Sequence, residues 1–329
     1  MIRTMEPISE KPEGNAAKPS KPRRSWRRRL RRWCVILACI YLGLCVLAWL
    51  LQSYLVFPGA HFLSADDTRI DPVPGTELLH LTAADGTRID ALFGPALDSD
   101  REPAVDAGSK PAVIFFYGNG SCIAGCETMF WHLRELGMNV ILPEYPGYGA
   151  SGGSASEKGC YAAADAAYDE LLRRGFTAPG RINIVGWSLG GAVAIDLASR
   201  RPVGKLATYD TFTTMHDMGR IIMPWLPTSV LLSYRFDNVA KLPGIHCPVF
   251  FVHGMADTLV PPSMEDRLAA AATGAASVTE IKVPGGGHNT IFEVGGDELW
   301  ARLGRFLNDG HGVSDPPAAT GPSDNSPPR

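Results

Sequence analysis

Arg181-Ile182-Asn183-Ile184-Val185-Gly186-Trp187-Ser188-Leu189-Gly190-Gly191 is the stretch on which the fold turns. Its first five residues have the β-branched, apolar character of a buried strand. Past Ser188, the apolar residues Leu189, Val193 and Leu197 recur four apart, as on one face of a helix. The stretch reads strand, sharp turn, helix, with Ser188 at the apex. The flanking glycines suit a place where strand and helix backbones crowd and leave no room for a Cβ. A serine held there points its Oγ out at the carboxyl edge of a sheet, beside a helix N-terminus. The same letters also fit an ordinary glycine-rich turn.

A serine hydroxyl is a poor nucleophile at neutral pH. It needs a general base within hydrogen-bond reach, and the base needs an orienting group. Both stand downstream, in the order Ser, Asp, His. Pro248–Gly254 reads as a buried strand running into a loop, and Asp257 follows it. An aspartate just past a strand end lies on the same sheet edge as Ser188, although Asp also favours turns and helix N-caps. Thr279–Pro284 is a short alternating strand, and Gly285-Gly286-Gly287-His288 follows. Three glycines allow a loop that carries an imidazole over a neighbouring strand end; a solvent-exposed loop histidine is the plain alternative. His253 sits at the end of its own strand and is expected to hydrogen-bond locally. None of the histidines shows a metal-ligand spacing with Cys, Asp or Glu.

The chemistry also calls for donors to a developing oxyanion. Ala112–Phe116 is a continuous apolar run, hence a central strand, and Tyr117-Gly118-Asn119-Gly120 follows. The glycines free this loop to aim the N–H of Asn119 at negative charge, with the N–H of Leu189 as second donor. One such donor is typically worth about 3–4 kcal/mol of transition-state stabilisation. A plain β-turn is the competing reading.

Along the domain, Leu78–Thr82 and Ile89–Phe93 read as a hairpin across Ala84-Asp85-Gly86. Strands near 112–116, 139–143, 181–185, 204–209, 247–253 and 278–283 alternate with helical runs. That alternation argues a mostly parallel α/β sheet covered on both faces. Residues 211–245 form the one long insertion. Its apolar Ile221–Leu226 and Val230–Leu232 exceed core needs, which suggests a small lid over the serine lining an apolar pocket, with Trp225 part of it; ordinary core helices would look alike.

The pattern resembles the α/β-hydrolase superfamily, and within it the membrane-anchored serine hydrolases with a small lid, a serine aminopeptidase-like branch. The resemblance runs from about Leu55 to Phe306. It rests on five motifs in order: Tyr117–Gly120, Glu144-Tyr145-Pro146-Gly147-Tyr148-Gly149, Gly186-Trp187-Ser188-Leu189-Gly190, His253-Gly254-Met255-Ala256-Asp257, and Gly287-His288. It implies a mostly parallel eight-stranded sheet flanked by helices, and a Ser188–His288–Asp257 triad. Two departures stand out. The family usually has histidine where Tyr117 stands, which bears on how the oxyanion loop is braced. Asp210-Thr211-Phe212-Thr213-Thr214 replaces the acidic residue and Pro-Phe-Thr-Ser usual after the sixth strand.

The chain has 329 residues, 45% apolar and 20% charged, so a full core can form around one large domain. The N-terminus differs. Residues 1–32 hold 11 Lys and Arg against 3 Asp and Glu, a net charge of +8, so the remainder carries −11 of the overall −3. Such a basic segment is expected to be disordered. Trp33 to Leu51 then runs 19 residues without a charge, about 28 Å as helix, close to the hydrocarbon thickness of a bilayer. A buried core helix would show an amphipathic face. A cleaved signal would have a shorter core and a small-residue cleavage site. Residues 33–54 are therefore read as a transmembrane signal anchor, 55–309 as the catalytic domain and 310–329 as a disordered tail. The arginines beside the span place the N-terminus in the cytoplasm and the domain outside, periplasmic in a bacterium. An acidic domain argues against nucleic acid as a partner. Cys122 and Cys126 are expected to share a helix, at a spacing poor for a disulfide.

The expected activity is cleavage of an ester or thioester, with an amide as a further option, through an acyl-enzyme on Ser188, with no cofactor or metal required. An acyltransferase using the same triad, or a silent membrane scaffold, would carry the same residues. The expected substrate is a small or lipid-like acyl compound.

Overall fold

A computed structural model describes residues 26–70, 74–176, 178 and 180–309. The chain divides into two compact units at Leu47/Ala48. The first is the larger part of helix α1 (Trp26–Val56), which is long and apolar enough to cross a membrane. Its Leu37, Ile40, Leu42, Val46 and Leu47 side chains are exposed, unlike those of a core helix. The helix starts earlier than expected: Trp26–Arg32, assigned above to a disordered segment, is helical, because Arg and Leu are good helix formers with no Gly or Pro between them. Residues 1–25 and 310–329 lie outside the described residues, and with them the rest of the basic segment and the tail.

The second unit carries α2 (Gly59–Phe62), β1 (Glu77–Thr82), β2 (Arg88–Gly94), β3 (Ala112–Phe116), α3 (Glu127–Glu135), β4 (Asn139–Pro143), α4 (Glu157–Arg173), β5 (Ile182–Trp187), α5 (Leu189–Arg200) and β6 (Leu206–Tyr209). Then come α6 (Met215–Ile222), α7 (Thr228–Leu231), α8 (Asn238–Lys241), β7 (Val249–Gly254), α9 (Ser263–Ala271), β8 (Val278–Val283) and α10 (Ile291–Asn308). The strands form one eight-stranded sheet in the order β1-β2-β4-β3-β5-β6-β7-β8. β1, β2 and β4 pair antiparallel, and every later pair is parallel. This is the α/β architecture expected, an α/β-hydrolase fold flanked by helices.

Burial follows position in the sheet. β3, β4 and β7 are buried throughout, as parallel strands covered on both faces must be. The edge strand β8 leaves Val278, Thr279 and Glu280 exposed. Ala164, Tyr168 and Leu171 lie buried along one face of α4 with Tyr161 half-buried beside them, and the helix is closed by Gly175 with φ +95°. In the parallel pairs Phe116 stands beside Gly186, Trp187 beside Tyr209, and Gly254 beside Val283. The loops after β3, β5, β6, β7 and β8 therefore leave from one carboxyl edge, where ligands of open α/β sheets gather.

Candidate active site

Ser188 sits between β5 and α5 with φ 52° and ψ −114°, a backbone state that non-glycine residues rarely hold. Close packing imposes it. A Cβ on Gly186 would overlap the Gly190 carbonyl, one on Gly190 the Phe116 carbonyl, and one on Gly191 the Thr211 side chain. The Thr211 hydroxyl donates to the Ser188 carbonyl at 2.6 Å and pins the turn from the β6 side.

The three residues that the sequence singles out come together at this edge. Ser188 Oγ lies 3.0 Å from His288 Nε2, and His288 Nδ1 lies 2.7 Å from Asp257 Oδ2. The other oxygen of Asp257 accepts the N–H groups of Leu259 at 2.8 Å and Val260 at 2.9 Å. Burial pushes the Asp257 carboxyl up, but hydrogen bonds from His253, His288 and Val260 prevail and hold it well below its ordinary value.

Leu189 follows Ser188 directly, and Asn119 lies in the loop after β3. Leu189 opens α5, so its N–H has no partner within the helix. Asn119 is otherwise committed. Its carbonyl accepts from Gly59 N–H at 3.0 Å and the Tyr148 hydroxyl at 2.8 Å, and its side-chain amide donates to the Val56 carbonyl at 3.1 Å. The loop is thus tied to the end of α1.

Tyr117, where the family usually has histidine, braces this loop in its own way. Its buried hydroxyl donates to Glu144 and accepts the Tyr145 N–H at 3.0 Å, while the Tyr145 hydroxyl donates to the Tyr117 carbonyl at 3.0 Å. Burial pushes the Glu144 carboxyl up from 4.5 to about 7, against the Tyr117 and Ile123 donors that favour its charge. The folded state therefore holds a proton that the unfolded chain has lost above 4.5. Stability from this group is full below 4.5 and is lost as pH rises to about 7, a difference of about 3 kcal/mol. Burial likewise pushes Asp210 up to about 7, adding a parallel decline. Glu144→Gln should therefore narrow, without abolishing, the drop in thermal stability of the full chain in detergent between about pH 5 and pH 8. An unchanged drop would show that Glu144 is charged in the fold throughout.

A second imidazole was not anticipated at this edge beyond local packing. His253 is buried, with Nε2 2.9 Å from the Val260 carbonyl, 3.5 Å from Asp257 and 3.9 Å from Asp210, and with Nδ1 3.5 Å from Glu265. Burial works against its charge, but Asp257, Glu265, the Val260 carbonyl and Asp210 push its pKa up to about 10. The absence of a metal-ligand spacing needs correcting in space: ligand atoms of Asp210, His253 and Asp257 lie within 4.8 Å of one another. Their chemistry fits an ion-pair cluster better than a cation site. Nε2 spends its proton on the Val260 carbonyl, and Asp257 Oδ2 is taken by His288. Sequence spacing carried no trace of Asp210, which lies 44 residues from the Gly254 N–H that it accepts at 2.8 Å.

Trp187 was also missed as a positioning group: its Nε1 donates to the His288 carbonyl at 3.1 Å. Two local expectations fail. Cys122 precedes the short helical turn Ala124–Cys126 and shares no helix with Cys126; both thiols are buried and free, with no disulfide between them, as expected. In the insertion after β6, α6, α7 and the end of α1 line an apolar cavity, but Trp225 is not among its walls and is exposed.

Comparison with known proteins agrees with this architecture. The model of the alpha/beta hydrolase fold family matches residues 111–236. An uncharacterized Mycobacterium tuberculosis protein, Rv2307c, is 32% identical over 275 residues, covering 83% of this chain and 93% of its own length. The alpha/beta hydrolase domain-containing protein WAV2 of Arabidopsis thaliana is 30% identical, covering 80% and 84%. Among solved structures, the Pyrococcus furiosus esterase Pf2001 superposes with a TM-score of 0.58 at 18% identity, over 75% of this chain and 93% of its own.

Proposed function

The chain belongs to the alpha/beta hydrolase family, and from that premise we propose that it is a membrane-anchored serine hydrolase cleaving a carboxylic ester or thioester. One observation carries the reading: the unbroken hydrogen-bond chain from Ser188 Oγ through both nitrogens of His288 to Asp257. In this mechanism His288 Nε2 takes the Ser188 proton as Oγ attacks the acyl carbonyl. Asp257, kept ionised by its donors, fixes the tautomer that leaves Nε2 free to accept, and stabilises the imidazolium that forms. The oxyanion is met by the N–H groups of Asn119 and Leu189. His288 returns its proton to the leaving group, then activates water to free the acyl chain.

The likeness to an esterase supports the fold of such an enzyme, and the acyl class rests on the site. The apolar run Trp33–Leu51 of α1 serves as a signal anchor, with the arginines before it holding the N-terminus in the cytoplasm and the hydrolase domain outside.

A fluorophosphonate probe should label the full chain, with labelling lost in Ser188→Ala and kept in Ser121→Ala. Ser121 is the discriminating control because its hydroxyl is turned to the Cys122 carbonyl and the Cys126 thiol rather than to an imidazole. Labelling that survives Ser188→Ala ends the proposal.

A further inference from the structure

The mechanism above leaves His253, Asp210 and Glu265 unused, although all three are buried beside the triad. They arrive from three elements: His253 from the end of β7, Asp210 from the residue after β6, and Glu265 from the first turn of α9. The His253 Nε2 lies 2.9 Å from the Val260 carbonyl, and its Nδ1 lies 3.5 Å from a Glu265 oxygen. Both ring nitrogens therefore face oxygen acceptors, and a neutral imidazole has a proton for only one of them. Asp257 at 3.5 Å and Asp210 at 3.9 Å add two more carboxyls. Acids gathered in a buried site are costly unless a cation joins them. On β8, Glu280 and Lys282 stand behind Glu265, but Lys282 is spent on Asp266 at 2.6 Å and half exposed. His253 is the enclosed group that can supply the charge, and its neighbours push its pKa up to about 10.

The contact with consequences for the triad is the one to Asp257. His253 Nε2 and His288 Nδ1 approach the same oxygen, Oδ2, at 3.5 Å and 2.7 Å. The other oxygen is turned to the N–H groups of Leu259 and Val260. Val260 in turn gives its carbonyl to His253. One ring thus braces the loop that carries Asp257 and shares the oxygen that holds the other ring. His288 is also faced by Ser188 and, more distantly, by Asp210.

We propose that His253 is a positioning residue for the triad, a buried cation that fixes the Asp257 loop through Val260 and, by sharing Oδ2, limits how tightly Asp257 holds the imidazolium formed at His288. A positive charge on the far side of the carboxylate weakens its attraction for the proton-bearing ring. His288 then passes its proton to the leaving group more readily. The inference rests on the triad reading for its effect on turnover, whereas the charge of His253 and the sharing of Oδ2 can be read without turnover.

The first readout therefore needs no activity. In the full chain in detergent, labelled with 15N-histidine, the His253 ring should carry both protons at about pH 8. In His253→Gln the His288 Nδ1 proton resonance should move downfield, because Asp257 no longer divides its oxygen. Gln keeps an N–H donor for the Val260 carbonyl and carries no charge. A His253 ring with a single proton, Glu265 donating to it instead, would overturn the proposal, as would an unmoved His288 resonance in the folded variant. The second readout is the pH profile of kcat/KM with p-nitrophenyl acetate. His253→Gln should move the acid limb up by about half a pH unit or more and leave KM unchanged. A residue that only filled space would lower kcat alike at every pH and leave the limb in place, and that result also overturns the proposal. If the wild type hydrolyses no ester, the hydrolase reading falls alone and the resonances decide the role of His253.

Discussion

Combining Ser188→Ala with His288→Ala will cost no more activity than either substitution alone, each lowering kcat by on the order of 10⁵-fold or more. The serine oxygen stands 3.0 Å from the imidazole nitrogen that must take its proton. Without the imidazole, the hydroxyl stays a poor nucleophile; without the hydroxyl, the imidazole has nothing to activate. Groups that act as one unit lose their joint effect once, so their losses do not add. What survives in all three variants is the modest acceleration from oxyanion donors and binding. The measurement is kcat on a short-chain ester for the full-length wild type, both single variants and the double variant. Multiplying losses, or a single variant within tenfold of wild type, would mean that the two residues act separately and that the contact is incidental.

Gly190→Ala will destabilise the hydrolase unit by about 3 kcal/mol or more. The added methyl would overlap the carbonyl oxygens of Phe116 and Tyr117, both of them backbone. β3 cannot withdraw, because it is hydrogen-bonded to β4 on one side and β5 on the other. The start of α5 would have to lift from the sheet, carrying Ser188 and Leu189 with it. For a domain of this size, thermal unfolding should come at least about 6 °C earlier. Gly108→Ala is the matched control: nothing lies within 4 Å of its Cβ position, so its effect should stay within about 0.5 kcal/mol. A Gly190→Ala protein as stable as the control would show that the crowding is relieved by small backbone shifts.

The parts of this molecule that could be read from sequence are those written in local periodicity. β5, the Ser188 turn and α5 follow from adjacent letters, and the strand alternation fixes a parallel sheet whose carboxyl edge gathers Ser188, Asp257 and His288. What escaped is written across long separations. The Tyr117 hydroxyl reaches Glu144 over 27 residues, Asn119 reaches Val56 over 63, and Gln52 reaches Ser233 over 181. No periodicity records such pairings. The His253 cluster was half visible: His253 and Asp257 are neighbours in the chain, but Asp210 and Glu265 join them only once β6, β7 and α9 have packed. Trp225 misled because apolar character does not say whether a side chain faces inward or outward.

If α1 is the proposed anchor, the grip of Val56 and Gly59 on Asn119 bears on how the protein can be released from a membrane. A protease clipping the chain between Val56 and Gly59 is expected not to shed an active soluble enzyme. It would take away Val56, which steadies the loop proposed to meet the substrate's oxygen, and Gln52, which holds Ser233 of the insertion. On the proposed reading, anchorage and competence share the same few residues, so cleavage at that point would silence the protein rather than liberate it.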